Sequence, residues 1–318
     1  MAKLSRSHFL VIRFPKKQAY GKTIPFDRQE LLSEYGGNGF YYRQANMIMS
    51  GICPDEYDFY VDSELTYTIE SYMGQSINLS VTDSFKARDY GMQLGEFFRK
   101  MENVKLNLEG FGSLIWKDGK LEGFYKEDPL KLMADEKDKF HSEWSRLREA
   151  KLSFDRSSIE GKLSWCLEKR SVSSISLTNQ DTSPENLIIR DGRVHLIDPR
   201  PVIYSGVAAA GNHVNNYKTL FPTYDQAPRY IKNQFHMHKD VLYALATGFE
   251  EGYTNGLVEQ KKALKIEQFL ELFSLCYGNY DALQKESNTE TYLRMGDKQA
   301  IESRIPIYLR ELETFEFK

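Results

Sequence analysis

Cysteine is scarce in this sequence, and the few cysteines present exclude two kinds of site. The chain has three cysteines in 318 residues, Cys53, Cys166 and Cys276. No two of them form a C-x-x-C pair, and an odd, widely spaced set fits neither a zinc ribbon nor a disulfide scaffold. A reducing cytoplasm is therefore the compartment that we expect for the protein.

Long apolar runs and an excess of one charge are also missing. No stretch approaches the roughly 18 apolar residues of a transmembrane helix. The first residues lead into a short apolar run that Arg13 interrupts, so we expect no signal peptide. Lys and Arg number 42 against 45 Asp and Glu, a net charge of −3. This balance argues against binding driven by overall basic charge, and we expect neither a nucleic acid nor a membrane as partner.

Aromatic and helix-spaced apolar residues are abundant. The sequence has 20 Tyr and 19 Phe, and 41% of its residues are hydrophobic. This is the composition of a globular chain with a substantial core. Its length corresponds to about two domains or lobes.

The first 75 residues have mixed strand and helix patterns. A β-branched and aromatic run over 8–14 predicts a strand that ends at Pro15. Two short apolar runs around a polar Asp62-Ser63-Glu64 predict an antiparallel hairpin. The glycine-rich segment Gly36–Gly39 is expected to separate two short helices, as a C-cap and turn. The predicted helices cover 26–35 and 40–50, and the predicted hairpin strands cover 58–61 and 65–69.

Helical spacing dominates after residue 76. Apolar stripes with a period near 3.6 residues predict a series of helices whose stripes form a core. We therefore expect an α+β protein with a small α/β lobe at 1–75 and a larger, mainly helical lobe at 76–318. The predicted helices cover 85–104, 130–152, 159–167, 241–253, 266–277 and 300–312.

One segment, 174–199, interrupts the helices and has polar residues with a spacing typical of catalysis. Asp191-Gly192 between two apolar runs predicts a two-residue β-hairpin. In that register Leu187 faces Leu196, and the open end brings Asn186 beside Ile197 and Asp198. An amide oxygen and a carboxylate would meet there, and hard oxygen ligands of this kind suit Mg²⁺.

Asp181 lies five residues before Asn186, across a loop that contains Pro184. Such a loop can return its carboxylate to the predicted metal site, where it could accept a proton from an attacking hydroxyl. An Asp followed five residues later by Asn, then a hairpin, then Asp198 is the arrangement of the catalytic loop in protein-kinase-like phosphotransferases.

The 174–199 segment resembles the aminoglycoside phosphotransferase/choline kinase family of small-molecule kinases, a protein-kinase-like fold with two lobes. The family loop typically has His-Gly-Asp, followed four residues later by Asn, then a short hairpin and then Ile-Asp. The resemblance implies that Asp181 is the catalytic base and that Asn186 and Asp198 bind Mg²⁺. It also implies ATP as phosphate donor and a small hydroxyl-bearing molecule as acceptor.

Other parts of the chain resemble the family in outline. The segment 68–74 is similar to its hinge, where backbone groups bind adenine, so Glu70 and Tyr72 are expected to contact the nucleotide. Leu94 to Phe98 is similar to the first helix of its large lobe. Gly110-Phe111-Gly112 and Gly123-Phe124-Tyr125 are similar to the patterned loop that follows.

Three departures from the family pattern bear on activity. Asn179 and Gln180 replace the His and Gly of the loop. Arg13 occupies the place of the strand Lys that holds the nucleotide phosphates, and its partner on the helix is left open between Glu30, Glu34 and Gln44. Only eight residues precede Phe9, too few for two strands and a Gly-rich loop, so the small lobe is expected to be shortened.

The sequence therefore predicts a phosphotransferase that uses ATP and Mg²⁺ to phosphorylate a small molecule such as an aminoglycoside, an amino alcohol or a sugar-like metabolite. The alternative is a kinase-like binding or regulatory protein without transfer activity, which the shortened lobe and the absent strand Lys would favour. A protein kinase fits less well, because no Ala-Pro-Glu-type segment follows Asp198.

Overall fold

The computed structural model describes residues 9–19, 22–171 and 175–317. His8 of the predicted first strand and Ser174 of the 174–199 segment lie outside these residues. Contacts along the chain separate two compact units: one comprises 1–78, 100–126 and 176–204, and the other 79–99, 127–175 and 205–318. The lobe boundary between residues 75 and 76 stays a prediction.

The strands lie within or at the edges of the first unit. Its sheets are a three-stranded sheet in the order β1-β5-β4, a four-stranded sheet in the order β7-β6-β11-β8, and two hairpins, β9–β10 and β2–β3. The strands are β1 Leu10–Arg13, β2 Gln18–Ala19, β3 Lys22–Thr23, β4 Tyr57–Val61, β5 Thr66–Ser71, β6 Phe111–Lys117, β7 Lys120–Tyr125, β8 Ile175–Asn179, β9 Leu187–Arg190, β10 Arg193–Leu196 and β11 Pro201–Ser205.

Helices make up most of the second unit, and one long helix belongs to the first. A π-helical segment, Asn216–Leu220, and two 3₁₀ segments, Pro184–Asn186 and Phe235–His238, complete the regular structure. The helices are α1 Arg28–Ile48, α2 Ser84–Met101, α3 Pro129–Glu149, α4 Arg156–Lys169, α5 Gly206–Asn215, α6 Phe221–Thr223, α7 Pro228–Ile231, α8 Lys239–Thr254, α9 Val258–Gln284, α10 Thr289–Met295 and α11 Lys298–Thr314.

The α+β class and the long helices expected from the apolar stripes are confirmed. The predicted strand before Pro15 is β1, and the predicted hairpin is β4–β5, whose strands pair from Tyr57↔Glu70 to Val61↔Thr66. Within the described residues, no helix has the length and apolar character that a membrane crossing requires.

The prediction of two helices separated by Gly36–Gly39 is wrong, because α1 runs through these glycines without a break. It begins at Asp27, whose side chain accepts hydrogen bonds from the backbone of Gln29 and Glu30. A Cβ at Gly36 would lie 3.1 Å from the Trp116 ring, and one at Gly39 would lie 2.9 Å from the Tyr57 ring. The glycines thus let α1 approach its neighbours, and that tertiary contact outweighs their low helix propensity.

Strands β6, β7 and β11 were not predicted. The segment 110–125, which is similar to a patterned loop, forms the β6–β7 hairpin. Strand β11 pairs with β6 through Val202↔Ser113 and Ile203↔Gly112. Short strands with glycines and long-range partners lack a clear period of two, so the sequence signal for them is weak.

The core of the second unit is built mainly from the apolar faces of α3, α4, α9 and α11. Its fully buried aromatic residues include Phe269, Phe273 and Tyr308. Helices α2 and α8 approach so closely that glycines are required at their contact. A Cβ at Gly248 would lie 1.8 Å from the Arg88 carbonyl oxygen, and one at Gly91 would lie 2.0 Å from that of Leu245.

Replacing Gly248 by Ala should therefore force α2 and α8 apart and lower the free energy of unfolding by about 3 kcal/mol. Gly278→Ala is the matched control, because this exposed glycine also lies within a helix and its Cβ would meet nothing within 4 Å. We expect the control to be neutral or to stabilise by about 0.5–1 kcal/mol. Urea unfolding of the two variants measures the difference, and equal stabilities would show that the helix contact is not tight.

His213 is a buried histidine, 2% exposed. Its ring packs against those of Phe249 and Tyr217, with centroids 4.1 and 4.4 Å away. Burial lowers the pKa of His213 to about 3. Between that value and the ordinary pKa near 6.5, the unfolded chain binds a proton that the folded chain does not, so stability falls as the pH decreases. The loss from this residue at pH 5 is about 2 kcal/mol.

His213→Phe should remove this part of the acid sensitivity. Unfolding free energies of the wild type and the variant at pH 7.5 and pH 5 test it, since other titrating groups contribute equally to both proteins. A fall in stability that is the same in both would contradict the prediction.

Candidate active site

The β9–β10 hairpin has the register predicted from Asp191-Gly192. Its pairs run from Arg193↔Arg190 through Val194↔Ile189 to Leu196↔Leu187. Asp191 and Gly192 have φ of 53° and 72°. Positive φ at both central residues is the signature of a type I′ turn, whose twist matches that of the strands. The local sequence therefore fixes which residues meet at the open end.

The Asn186 side chain bridges the backbones of Asp181 and Asp198 at that open end. The backbone N–H of Ile197 donates to the Asn186 carbonyl at 3.1 Å, which continues the pairing by one step. The Asn186 side-chain amide nitrogen lies 3.3 Å from the carbonyl oxygen of Asp198 and 3.4 Å from that of Asp181. Both bonds are donated by the amide nitrogen, so neither of them involves the amide oxygen of Asn186.

The loop that carries Asp181 is held by Asn179. Asn179 is 3% exposed, and its Oδ1 accepts from the backbone N–H groups of Asp181 at 3.0 Å and Arg200 at 2.8 Å. The Asp181 carboxylate in turn accepts from the Ser183 N–H at 3.3 Å. One amide oxygen thus joins the start of the loop to the segment that follows Asp198.

Asp198 has a left-handed backbone, with φ of 47°. This region is sparsely populated by residues other than Gly and Asn, and it persists where neighbouring contacts enforce it. Here the Asp198 N–H donates to the Tyr42 hydroxyl at 3.0 Å, and the Asp198 carbonyl accepts from Asn186. Both backbone polar groups of Asp198 are therefore held by side chains from other elements.

Arg13 lies between two carboxylates. Its Nη1 forms an ion pair with Asp198, and its Nη2 lies 2.6 Å from Glu70 Oε1. The partner left open between Glu30, Glu34 and Gln44 is thus none of these residues. In the β1–β5 register Arg13 pairs with Thr68, so Glu70, two residues further along, is its diagonal neighbour on the same face of the sheet.

Tyr42 on α1 connects Glu70 to Asp198. Its hydroxyl donates to Glu70 Oε2 at 3.2 Å while it accepts from the Asp198 N–H. Burial raises the pKa of Tyr42 well above its usual value, which keeps the proton that this bond needs. Sequence reasoning missed Tyr42, because a tyrosine on the apolar stripe of a helix gives no signal other than that of a core residue.

Burial dominates the electrostatics of Glu70, whose side chain is 3% exposed. It raises the pKa of this carboxyl, and the nearby Arg13 guanidinium offsets the rise only in part. For Arg13, by contrast, 37% of the side chain is exposed. Burial would lower the pKa of Arg13, but Asp198 and Glu70 outweigh it and raise the pKa above the usual value. Arg13 is therefore the group of this pair that can reach a ligand.

The predicted hinge residues Glu70 and Tyr72 have polar groups that already form hydrogen bonds within the protein. The Tyr72 backbone N–H donates to the Phe9 carbonyl at 2.9 Å, so this donor is already used. The Tyr72 hydroxyl accepts from the Gln75 side chain at 2.7 Å. Glu70 directs its carboxylate at Arg13 and Tyr42. The nucleotide contacts of Glu70 and Tyr72 stay predictions, and an adenine base would need other backbone groups of 68–74.

A cavity of about 660 Å³ within the first unit borders Arg13, Glu70 and Asp198. Its wall has three cationic side chains, Arg13, Lys16 and Lys17, and seven carboxylates, including Glu70 and Asp198. Sequence patterns do not predict this cavity, because its lining combines Asp198 with residues of β1, α1, β4, β5 and the segments between them.

No protein-family model matches the sequence, and no curated protein matches it. Several solved structures are similar to the chain. Aminoglycoside phosphotransferase APH(4)-Ia is 13% identical with a TM-score of 0.48, and the similarity covers 87% of this chain and 82% of that one.

Two further solved structures are choline or ethanolamine kinases. A choline/ethanolamine kinase family protein from Mesorhizobium loti is 11% identical with a TM-score of 0.46, over 97% of this chain and 88% of that one. A Plasmodium vivax ethanolamine kinase is 14% identical with a TM-score of 0.48, over 98% and 79%. These proteins belong to the family that the 174–199 segment resembles.

Asn179→Ala tests whether the Asp181 loop depends on Asn179. The variant leaves two backbone N–H groups without their acceptor, which should lower the free energy of unfolding by about 1–3 kcal/mol. Denaturant unfolding measures the loss, and amide hydrogen exchange of Asp181 and Arg200 should show it locally. Unchanged exchange at both amides would contradict this role.

Proposed function

We propose that the protein transfers the terminal phosphate of ATP to a hydroxyl of a small molecule. The observation that supports this most strongly is that the Asn186 amide bridges the backbone carbonyls of Asp181 and Asp198 at the open end of the β9–β10 hairpin. Arg13 adds a cation on the Asp198 carboxylate. A base, two oxygen ligands and a phosphate-binding cation are the groups that phosphoryl transfer requires.

The donor set fits Mg²⁺. The Asn186 amide oxygen and the Asp198 carboxylate are hard oxygen ligands, and Mg²⁺ is commonly held by one or two protein groups together with water and phosphate. The Asp198 side chain is 44% exposed, so its carboxylate can be reached by a ligand. When bound there, Mg²⁺ would neutralise charge on the nucleotide phosphates.

Asp181 would act on the acceptor hydroxyl. Its carboxylate accepts from the Ser183 N–H, and its backbone carbonyl contacts the Asn186 amide in the loop that Asn179 anchors. As the hydroxyl oxygen bonds to the terminal phosphorus, its proton passes to Asp181 and the bond from that phosphorus to the leaving diphosphate breaks. General base catalysis of this kind contributes roughly 100- to 10,000-fold to the rate.

Arg13 would hold phosphate oxygens in place of the strand Lys. A guanidinium can donate two parallel hydrogen bonds to a phosphate from its planar fork, whereas a lysine ammonium acts as a point charge. Arg13 forms an ion pair with the buried Glu70, and 37% of the Arg13 side chain is exposed, so a ligand can reach the guanidinium.

The second candidate function is nucleotide or metabolite binding without transfer. It is favoured by the replacement of Lys by Arg13 and by the small sheet, which has three strands, β1-β5-β4, among the described residues. Phosphate would then be held by fewer groups than in a complete kinase lobe. Substrate identity stays open between an aminoglycoside, an amino alcohol and a sugar-like molecule.

Binding of Mg·ATP is the first expected result. At a free concentration 100 times the dissociation constant, a ligand that binds only the folded chain adds about 2.7 kcal/mol to the free energy of unfolding. We expect a rise in melting temperature with Mg·ATP at millimolar concentration and a smaller rise with ATP and EDTA. No rise under either condition would contradict nucleotide binding.

Transfer is tested with Asp181→Asn. We expect a loss of roughly 100- to 10,000-fold in phosphorylation of whichever hydroxylated compound is turned over, with Mg·ATP affinity unchanged. The matched control is Asp191→Asn, which changes an exposed carboxylate at the hairpin turn where Asn tolerates positive φ. Equal activity of Asp181→Asn and wild type would refute the base, whereas binding without turnover of any compound would support the second candidate.

A further inference from the structure

Four groups around the site form a closed circuit of hydrogen bonds. Arg13 binds Asp198 through Nη1 and Glu70 through Nη2. Glu70 also accepts from the Tyr42 hydroxyl, and that hydroxyl accepts from the backbone N–H of Asp198. The four members come from β1, β5, α1 and the segment after β10.

We propose that Glu70 is a positioning residue that fixes Arg13 for the nucleotide phosphates and, through Tyr42, fixes the backbone of Asp198. This inference rests on the proposed function. It assigns to a strand residue the task for which a helix acid was expected, and it differs from the expectation that Glu70 itself contacts the nucleotide.

Competition for Asp198 explains why Arg13 needs a second acid. A cation bound to the Asp198 carboxylate would repel the guanidinium that shares that carboxylate. Glu70 is 3% exposed and would keep its own ion pair with Arg13, at 2.6 Å. Arg13 would then remain in place with one edge free for phosphate oxygens instead of moving into solvent.

Tyr42 extends the same constraint to the metal ligand. Glu70 and the Asp198 N–H bind the same hydroxyl oxygen, at 3.2 and 3.0 Å. The N–H bond helps to hold Asp198 at φ of 47°, a conformation of low intrinsic population. A change at Glu70 is therefore expected to reach both the phosphate-binding cation and the predicted metal ligand.

The test measures Mg·ATP affinity by calorimetry in Glu70→Gln, Arg13→Gln and the double variant. We expect Glu70→Gln to weaken binding about tenfold in the wild-type background, and less than about twofold in the Arg13→Gln background, because Glu70 acts mainly through Arg13. A purely structural role would lower the melting temperature but would weaken binding equally in both backgrounds, or not at all.

Glu122→Gln is the matched control. Glu122 is also a buried acid on a strand of the first unit, 6% exposed, and its ion pair with Lys126 at 2.9 Å lies outside the circuit. We expect this variant to leave Mg·ATP affinity unchanged. If Glu70→Gln does not fold, Tyr42→Phe removes one oxygen from the circuit and should weaken Mg·ATP binding about threefold.

The outcomes separate this inference from the proposed function. A wild type that binds no Mg·ATP overturns the proposed function. A wild type that binds it while Glu70→Gln, or Tyr42→Phe in its place, binds equally well overturns the positioning role alone. Equal weakening by Glu70→Gln in both Arg13 backgrounds also overturns it.

Discussion

The register of the β9–β10 hairpin is the constraint on which the candidate site depends. The Asp191-Gly192 turn aligns Leu187 with Leu196 and leaves Asn186 beside Ile197 and Asp198. A shift of one residue would send alternate side chains to the opposite face and separate the amide from the carboxylate. The buried apolar residues of both strands make such a shift costly, so a local turn sets the position of groups that act together.

Residues that are distant in sequence also fix the candidate site through side-chain contacts. Asn179 connects the Asp181 loop to Arg200, and Tyr42 reaches Asp198 from helix α1. Arg13 on β1 closes the arrangement against Asp198 and Glu70. The unusual backbone of Asp198 is thus enforced by side chains, as expected where a strained residue has a function.

The parts of the fold that sequence could predict are those with local causes. The hairpin follows from its turn residues, and the long helices follow from apolar stripes. The uninterrupted α1 could not be predicted, because the fit of Gly36 against Trp116 and of Gly39 against Tyr57 depends on elements distant in sequence. The partner of Arg13 was missed for the same reason, since Glu70 is a neighbour only through the β1–β5 register.

In the proposed site, Asn186 and Asp198 bind one divalent cation beside Asp181. Anomalous diffraction from crystals grown with Mn²⁺ and a non-hydrolysable ATP analogue tests it most directly, because Mn²⁺ prefers the same oxygen ligands and its position can be located independently. We predict a peak at roughly 2.0–2.3 Å from the Asn186 amide oxygen and an Asp198 carboxylate oxygen. A nucleotide complex with Mn²⁺ elsewhere, or with Asp198 still bound only to Arg13, would show that Asn186 and Asp198 do not form the metal site.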